Sequence, residues 1–504
     1  MNPRRYYLVV VAFVLGDLLR VGSEVCAQES ATLSLKQAVE RAVAGNPDLR
    51  RERVAIAAAR AAEMSAAGNF DVRLDGAFGI SRQLVPPSTC PPLCQDGDIG
   101  KTTSATLSLG VARNLESGGT LRLGGQASRE SYDFPTDAGT IYSGAGTIYS
   151  SGLALTFSHP LLRGLGSDAT LAQLHKARVQ TDMALLQRQM RACNVIRDVI
   201  VAYWELAYST QNLAIVRSAL ELAQEQLHTT EAMIAVGRLA DADAASVERA
   251  IAQRMEDVAL GEQLLFFRSL DVQRLLGATA TAGASLAAAD QPSSAASTFD
   301  ESAEVSRAIE VNPQLRALKL GRRLSEIDIA TARNTLRPRL DFVGSVGPVG
   351  WKTSLDDALK QTAKLGDLAW SAGLTFELPV QNRSARGQAQ TAEEGLNLAT
   401  INAEDFTLQL RDLVLRAARS ARTASQRSEL GRREVEFAKQ NLDAERARFH
   451  AGRATNNDVL LRQQELKDAE TRLLRATIDQ SEAEVALAAA TADVLDQFGV
   501  VLGP

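Results

Sequence analysis

The sequence predicts a mostly α-helical chain with a membrane β-barrel section, and three observations carry that prediction. The chain repeats itself: Asn46-Pro47 and Arg73-Leu74-Asp75 recur as Asn312-Pro313 and Arg339-Leu340-Asp341, both at an offset of 266. Leu155-Thr156-Phe157 with Pro160 recurs as Leu374-Thr375-Phe376 with Pro379, and Gly237-Arg238 before Asp243 recurs as Gly452-Arg453 before Asp458. Order and offset are kept together, which chance does not produce, so the chain is a twofold internal repeat. Second, residues 167–236 hold neither Gly nor Pro, which permits one helix of about 100 Å. Third, the stretches between helical segments alternate apolar and small polar residues with period two, as strands do.

The elements follow in chain order. Arg4 and Arg5, the apolar run Tyr6–Gly16 and the small residues of Val25-Cys26-Ala27 read as a signal peptide over 1–27, cut after Ala27. Acylation at Cys26 is disfavoured by Glu24 and Val25, which stand where small neutral residues are expected. The first repeat, 28–282, then reads as a helix, four strands and a long helix pair. A linker spans 283–300, and the second repeat, 301–504, holds a helix, two strands and a long helix pair. The strands are marked by Phe70, Val72, Leu74, Phe78 and Ile80, then by Leu107, Leu109 and Val111, Leu121 and Leu123, and Leu153, Leu155 and Phe157. The second copy supplies Leu340, Phe342 and Val346, then Trp370, Leu374 and Phe376. Strands apolar on one side and small-polar on the other suit a lipid-facing barrel with a wet interior. The long helices, 167–236 and 388–451, carry three-four seams at Leu213, Val216, Leu220, Ala223 and Leu227, and at Val435, Ala438, Leu442 and Phe449.

Composition narrows the function. With 55 basic and 60 acidic residues the net charge is −5, which gives no basic field for nucleic acid. No Ser-hydrolase elbow, P-loop, zinc-protease or Cys-x-x-Cys pattern occurs, so no enzyme and no cofactor is expected. Cys90 and Cys94, four apart in a Pro-rich loop, read as a small disulfide of an oxidising compartment, and Cys193 as core packing. The four histidines are scattered, so no metal site is expected.

Taken together these residues resemble the TolC-like outer-membrane efflux proteins, from Leu33 to about Gly499. The resemblance rests on the repeat, the Asn-Pro near the start of each copy, the Leu-x-Phe-x-x-Pro leaving each β section, Ala202-Tyr203-Trp204, and the Gly-Arg turns with their following Asp. It implies a homotrimer, with a shared β-barrel in outer-membrane lipid and a coiled-coil helical tunnel in the periplasm. That trimer would be the exit duct of a tripartite efflux or type I secretion system. It would be served by a periplasmic adaptor protein and an inner-membrane pump. It also implies adaptor docking at Gly237, Arg238, Gly452 and Arg453, and an acidic gate at Asp458 with Asp243 in the other helix pair. Two positions depart from the pattern: Leu461 stands in place of a second acidic ring, and Ala454 in place of an arginine that ties the closed tip, a task left to Arg453 or Arg238. The competing readings are a periplasmic adaptor or a structural coiled-coil protein of the cell envelope.

The first copy is longer by about 47 residues between Asp75 and Leu155. This excess holds two more alternating segments, near Thr103–Arg113 and Thr120–Ser128, joined by Glu116-Ser117-Gly118-Gly119, a tight-turn sequence. Insertion into the barrel gives six strands per protomer instead of the family's usual four, and an 18-stranded trimer. The competing arrangement keeps 12 strands and folds the added hairpin outside the membrane.

Overall fold

The structure is a computed structural model that describes residues 31–85, 100–133, 145–279, 286–292 and 300–500. The signal segment 1–27, Cys90 and Cys94 lie outside the described residues. The described residues form two compact units, one from those within 1–50, 191–311 and 410–504, the other from those within 51–190 and 312–409. Both long helices, α4 (Ala172–Ala235) and α9 (Arg383–His450), contribute residues to each unit.

The first unit is helical. Its elements are β1 (Ala31–Leu33), α1 (Leu35–Gly45), the later part of α4, α5 (Ala242–Leu275), β6 (Leu286–Ala288), α6 (Glu301–Val311), the later part of α9, α10 (Asn456–Ala490) and α11 (Val494–Gln497). Its core gathers Val199, Ile200, Tyr203 and Leu206 of α4 with Ala38, Val39 and Ala42 of α1, Val272 of α5 and Ile478 of α10. Cys193 is buried in this cluster, as expected of a packing residue, and burial pushes its thiol up to about 11. The Tyr203 hydroxyl, fully inside, donates to Asp290 Oδ2 at 2.7 Å and accepts from Asp290 N at 3.0 Å. That pins the segment after β6, which pairs in parallel with β1. Residues 286–288 of the expected linker are therefore a strand. The expected seams are dry: Leu213, Val216, Ala223, Val435, Leu442 and Phe449 are all buried, while Leu220, Leu227 and Ala438 are half-buried.

Each repeat opens with two helices rather than the single one expected. α1 is followed by α2 (Pro47–Ala67), and α6 by α7 (Pro313–Thr335). The Asn-Pro pair is the reason. Proline at the first helical position lacks an N–H that would be unsatisfied there, and asparagine caps the next free donors. Asn46 Oδ1 accepts from Asp48 N at 2.8 Å, and Asn312 Oδ1 from Gln314 N and Leu315 N at 3.0 and 3.1 Å. The long helices also differ from their expected bounds. A short α3 (Ser167–Thr170) precedes α4, and α9 starts at Arg383, running through Gly387, where no close neighbour demands a side chain.

The second unit is built on one six-stranded antiparallel sheet, order β2-β3-β4-β5-β7-β8. Its strands are β2 (Arg73–Val85), β3 (Gly100–Asn114), β4 (Thr120–Asp133), β5 (Ala145–Pro160), β7 (Arg339–Lys352) and β8 (Leu368–Glu377). The added hairpin β3–β4 thus sits inside the sheet, between β2 and β5, and the two repeats join at β5–β7. Register places most of the large apolar side chains on one face, Leu74 opposite Val111, Leu123 opposite Leu155 and Phe342 opposite Leu374, while Ile148, Val343, Val349 and Trp351 fall on the other. The other face carries hydroxyl pairs across neighbouring strands: Ser81–Ser104 at 2.8 Å, Ser128–Ser150 at 2.6 Å and Ser345–Ser371 at 2.8 Å. The β3–β4 turn closes through Leu115 N to Gly119 O at 2.7 Å, with Gly118 at φ +96. Between β7 and β8 lies a helix that the sequence pattern did not announce, α8 (Leu355–Ala363). Among the described residues, no helix is long and apolar enough to cross a membrane.

Candidate functional site

The residues singled out from sequence meet where the two long helices turn back. α4 ends with Gly237 at φ +71, where Gly237 N donates to Ile234 O and Arg238 N to Met233 O. α9 ends the same way, with Gly452 at φ +72, Gly452 N on Phe449 O and Arg453 N on Arg448 O. This pair of bonds is the Schellman arrangement, and it needs a left-handed residue that only glycine adopts without strain. Nothing lies within 4 Å of a side chain built at either glycine, so backbone conformation alone sets the residue type. Arg238 and Arg453, one position on, are exposed and make no ion pair among the described residues. Ala454 packs on the apolar cluster of Val435, Leu442, Phe449, Val459 and Leu466.

The two aspartates sit in the first turns of the returning helices. Asp458 accepts from Thr455 N at 2.9 Å while Thr455 Oγ accepts from Asp458 N, a closed capping box. Those bonds from Thr455 hold the Asp458 carboxyl below the usual carboxylate range. Asp243 repeats half of this, accepting from Ala240 N at 3.1 Å. Each carboxylate also meets the positive end of its helix. Leu461, one turn beyond Asp458, is half exposed, and Arg462 binds Glu465 through two contacts of 2.9 and 2.7 Å.

Sequence reasoning missed what joins the two turns. Asn456, 6% exposed, accepts from Gln226 Nε2 at 2.8 Å and Thr230 Oγ1 at 2.9 Å, and its Nδ2 reaches Asp243 O at 3.4 Å. One side chain of α10 therefore contacts the end of α4 and the start of α5. Both Gly-Arg turns lie at one end of this unit, as expected. Two turns along, buried Arg254 of α5 donates to Ala219 O and to Gln463 Oε1, while Gln463 Nε2 donates to Leu222 O. Desolvation lowers the Arg254 pKa, opposed by the Asp257 charge. The signal was available: Asn456, Val459, Gln463 and Leu466 follow three-four spacing, so two polar residues interrupt an apolar seam.

Among the described residues, no group of three or more His, Cys, Asp and Glu could hold a metal. A dense charge cluster gathers Arg475 with Glu205 at 2.5 Å, Asp479 at 2.6 Å and Glu482 at 3.2 Å, with Arg268 also on Glu205. Burial, with Glu205 and Asp479 close by, pushes the Glu482 carboxyl up to about 7 against the opposing pull of Arg475.

This architecture is shared with solved structures. The outer-membrane channel OprN is similar at 18% identity, covering 91% of this chain and 89% of that one, with a TM-score of 0.67. VceC of Vibrio cholerae, an outer membrane protein, is similar at 15% identity, 91% and 96% coverage and a TM-score of 0.65. The open-state MtrE channel of Neisseria gonorrhoeae is similar at 15% identity, 93% coverage of each chain and a TM-score of 0.63. At these identities the likeness is one of fold. No curated protein sequence matches the chain. Residues 305–493 match the family model for outer membrane efflux proteins. The second repeat thus carries the sequence pattern of outer membrane efflux proteins, and the chain as a whole has the fold of the TolC-like outer-membrane channels.

Proposed function

We propose that the chain is the outer-membrane exit duct of a tripartite efflux or type I secretion system, assembled as a homotrimer. The observation that carries this is the sheet: six antiparallel strands with one mostly apolar face, one mostly of small polar residues, and two unpaired edges, β2 and β8. An open edge within lipid leaves backbone groups without partners, so such a sheet is stable there only when closed. Six strands are too few for a barrel with a lumen, whereas three copies give 18. Its diameter would be about half again that of a 12-stranded barrel. An adaptor or an envelope coiled coil has no use for a two-faced sheet to which both repeats contribute.

The adaptor, and through it the inner-membrane pump, would dock on the turns at Gly237, Arg238, Gly452 and Arg453. Their arginines are exposed and unpaired among the described residues, which suits an external acidic partner. Asp458 and Asp243 would form the gate, each repeated three times about the trimer axis. The test is the double variant Arg238→Glu, Arg453→Glu. Export should be abolished while trimers still assemble in the outer membrane; undiminished export would overturn the docking assignment.

A further inference from the structure

The helix between β7 and β8 is seated on the apolar face of the sheet rather than on its polar one. Ala358 is fully buried and Thr362 is 5% exposed; Thr362 Oγ1 lies 2.7 Å from Ser151 Oγ. A side chain at Gly350 would come within 2.4 Å of Ala358 O, so glycine is what lets the helix approach. Ser151 and Gly350 are register partners on the same face as Leu155 and Val346. The strand positions beneath the helix are small, and its polar seat is internally satisfied: Thr362 Oγ1 also reaches Ser151 O and Ala358 O, each at 3.2 Å. No water is needed there, which is the condition for burial against lipid.

Seating Ala358 and Thr362 aims a second stripe sideways. Leu355 and Leu359 are 42% and 48% exposed, and Leu359 and Ala363 form one wall of an open trough of about 640 Å³. Leu107, Leu109, Leu123 and Leu153 dominate the rest of it, Gln126, Ser151 and Thr362 are its polar members, and no charged residue lines it. The exposed ion pair Asp356–Lys360 lies on the remaining side of the helix. The helix also sits where the strand face changes character. On β5, Leu153 gives way to Ser151 and Tyr149, and on β4, Ala127 gives way to Arg129. A short helix with an apolar flank and a charged outer side, at such a boundary, matches an interfacial helix.

We infer that α8 lies in the outer-leaflet interface against the barrel wall, and that its leucine flank and the strand leucines hold lipid acyl chains between them. This rests on the reading that the apolar face meets the membrane, with which the trough is continuous. The occupant is a lipid chain because the walls are mostly apolar, Ser151 and Thr362 are satisfied by each other, and the leucines are the lipid-facing ones themselves.

The test uses the full chain in phospholipid vesicles, with Cys90 and Cys94 replaced by Ser and buried Cys193 left in place. Nitroxide labels are attached to Leu359→Cys, Leu109→Cys and Asp356→Cys, and collision with oxygen is compared with collision with a water-soluble nickel chelate. The Leu359 label should match the Leu109 label, with an oxygen-to-nickel ratio several-fold above that of Asp356. A Leu359 label that favours nickel while Leu109 favours oxygen would overturn the inference and leave the barrel reading standing. Nickel preference at Leu109 as well would overturn the lipid-facing sheet itself.

Discussion

Asn456→Ala should uncouple the two turns, and the size of the effect can be worked from its contacts. The substitution leaves the Gln226 amide, in a side chain 5% exposed, without the acceptor it had at 2.8 Å. An orphaned buried donor costs about 1–3 kcal/mol. Thr230 loses its bond to Asn456 yet keeps Gln226 O at 2.8 Å, so that loss is a net hydrogen bond of about 1 kcal/mol. The link to Asp243 O, at 3.4 Å, is too long to add much. Local stability at the junction should fall by about 2–4 kcal/mol, speeding amide exchange roughly 30- to 1000-fold. Hydrogen exchange read by mass spectrometry would resolve residues 226–243 and 449–460 separately. Both segments should accelerate together. Faster exchange confined to the start of α10, with 226–243 unchanged, would refute the coupling.

Gly237→Ala and Gly452→Ala should each destabilise the end of the preceding long helix by about 1–2 kcal/mol, since φ stays near +70 with a side chain added; unchanged amide exchange there would argue against the Schellman ends. Glu482 has a raised pKa, so the folded unit favours its protonated form, and its contribution is present below the ordinary value of 4.5 and lost as pH rises through about 7. Glu482→Gln should therefore melt higher than the parent at pH 8 and equally at pH 4, and a pH-independent difference would contradict the cause assigned. A tag inserted at Ser117 should be hidden on intact cells and exposed once the outer membrane is permeabilised, because the β3–β4 turn packs on the segment that leads into α3: Gly166 N donates to Ser117 O at 3.2 Å. Labelling on intact cells would place that turn outside.

Legibility followed the length and regularity of each element. The long helices could be read because 64 and 68 residues of seam leave no other periodicity. The strands could be read because one face is apolar along most of their length, and the unequal length of the repeats announced β3 and β4 before any pairing was known. The turns were legible from glycine, since positive φ demands it. Short elements were not: β1 and β6 have three residues each, and the nine of α8 give too few turns for a pattern. The two-helix opening of each repeat was written in Asn-Pro, which marks a helix start as much as a repeat. Asn456 and Gln463 were marked only by their places in an apolar seam, and their partners, Arg254 among them, needed the structure, because burial of a polar side chain depends on which helices meet around it.

The central claim is that this chain makes a water-filled path across a membrane, and single-channel recording on the purified protein in a planar bilayer tests it most directly. The parent should give discrete, cation-preferring conductance, and Asp458→Asn should weaken that preference without abolishing conductance. A correctly assembled oligomer that shows no conductance, in the parent and in Asp458→Asn alike, would contradict the account.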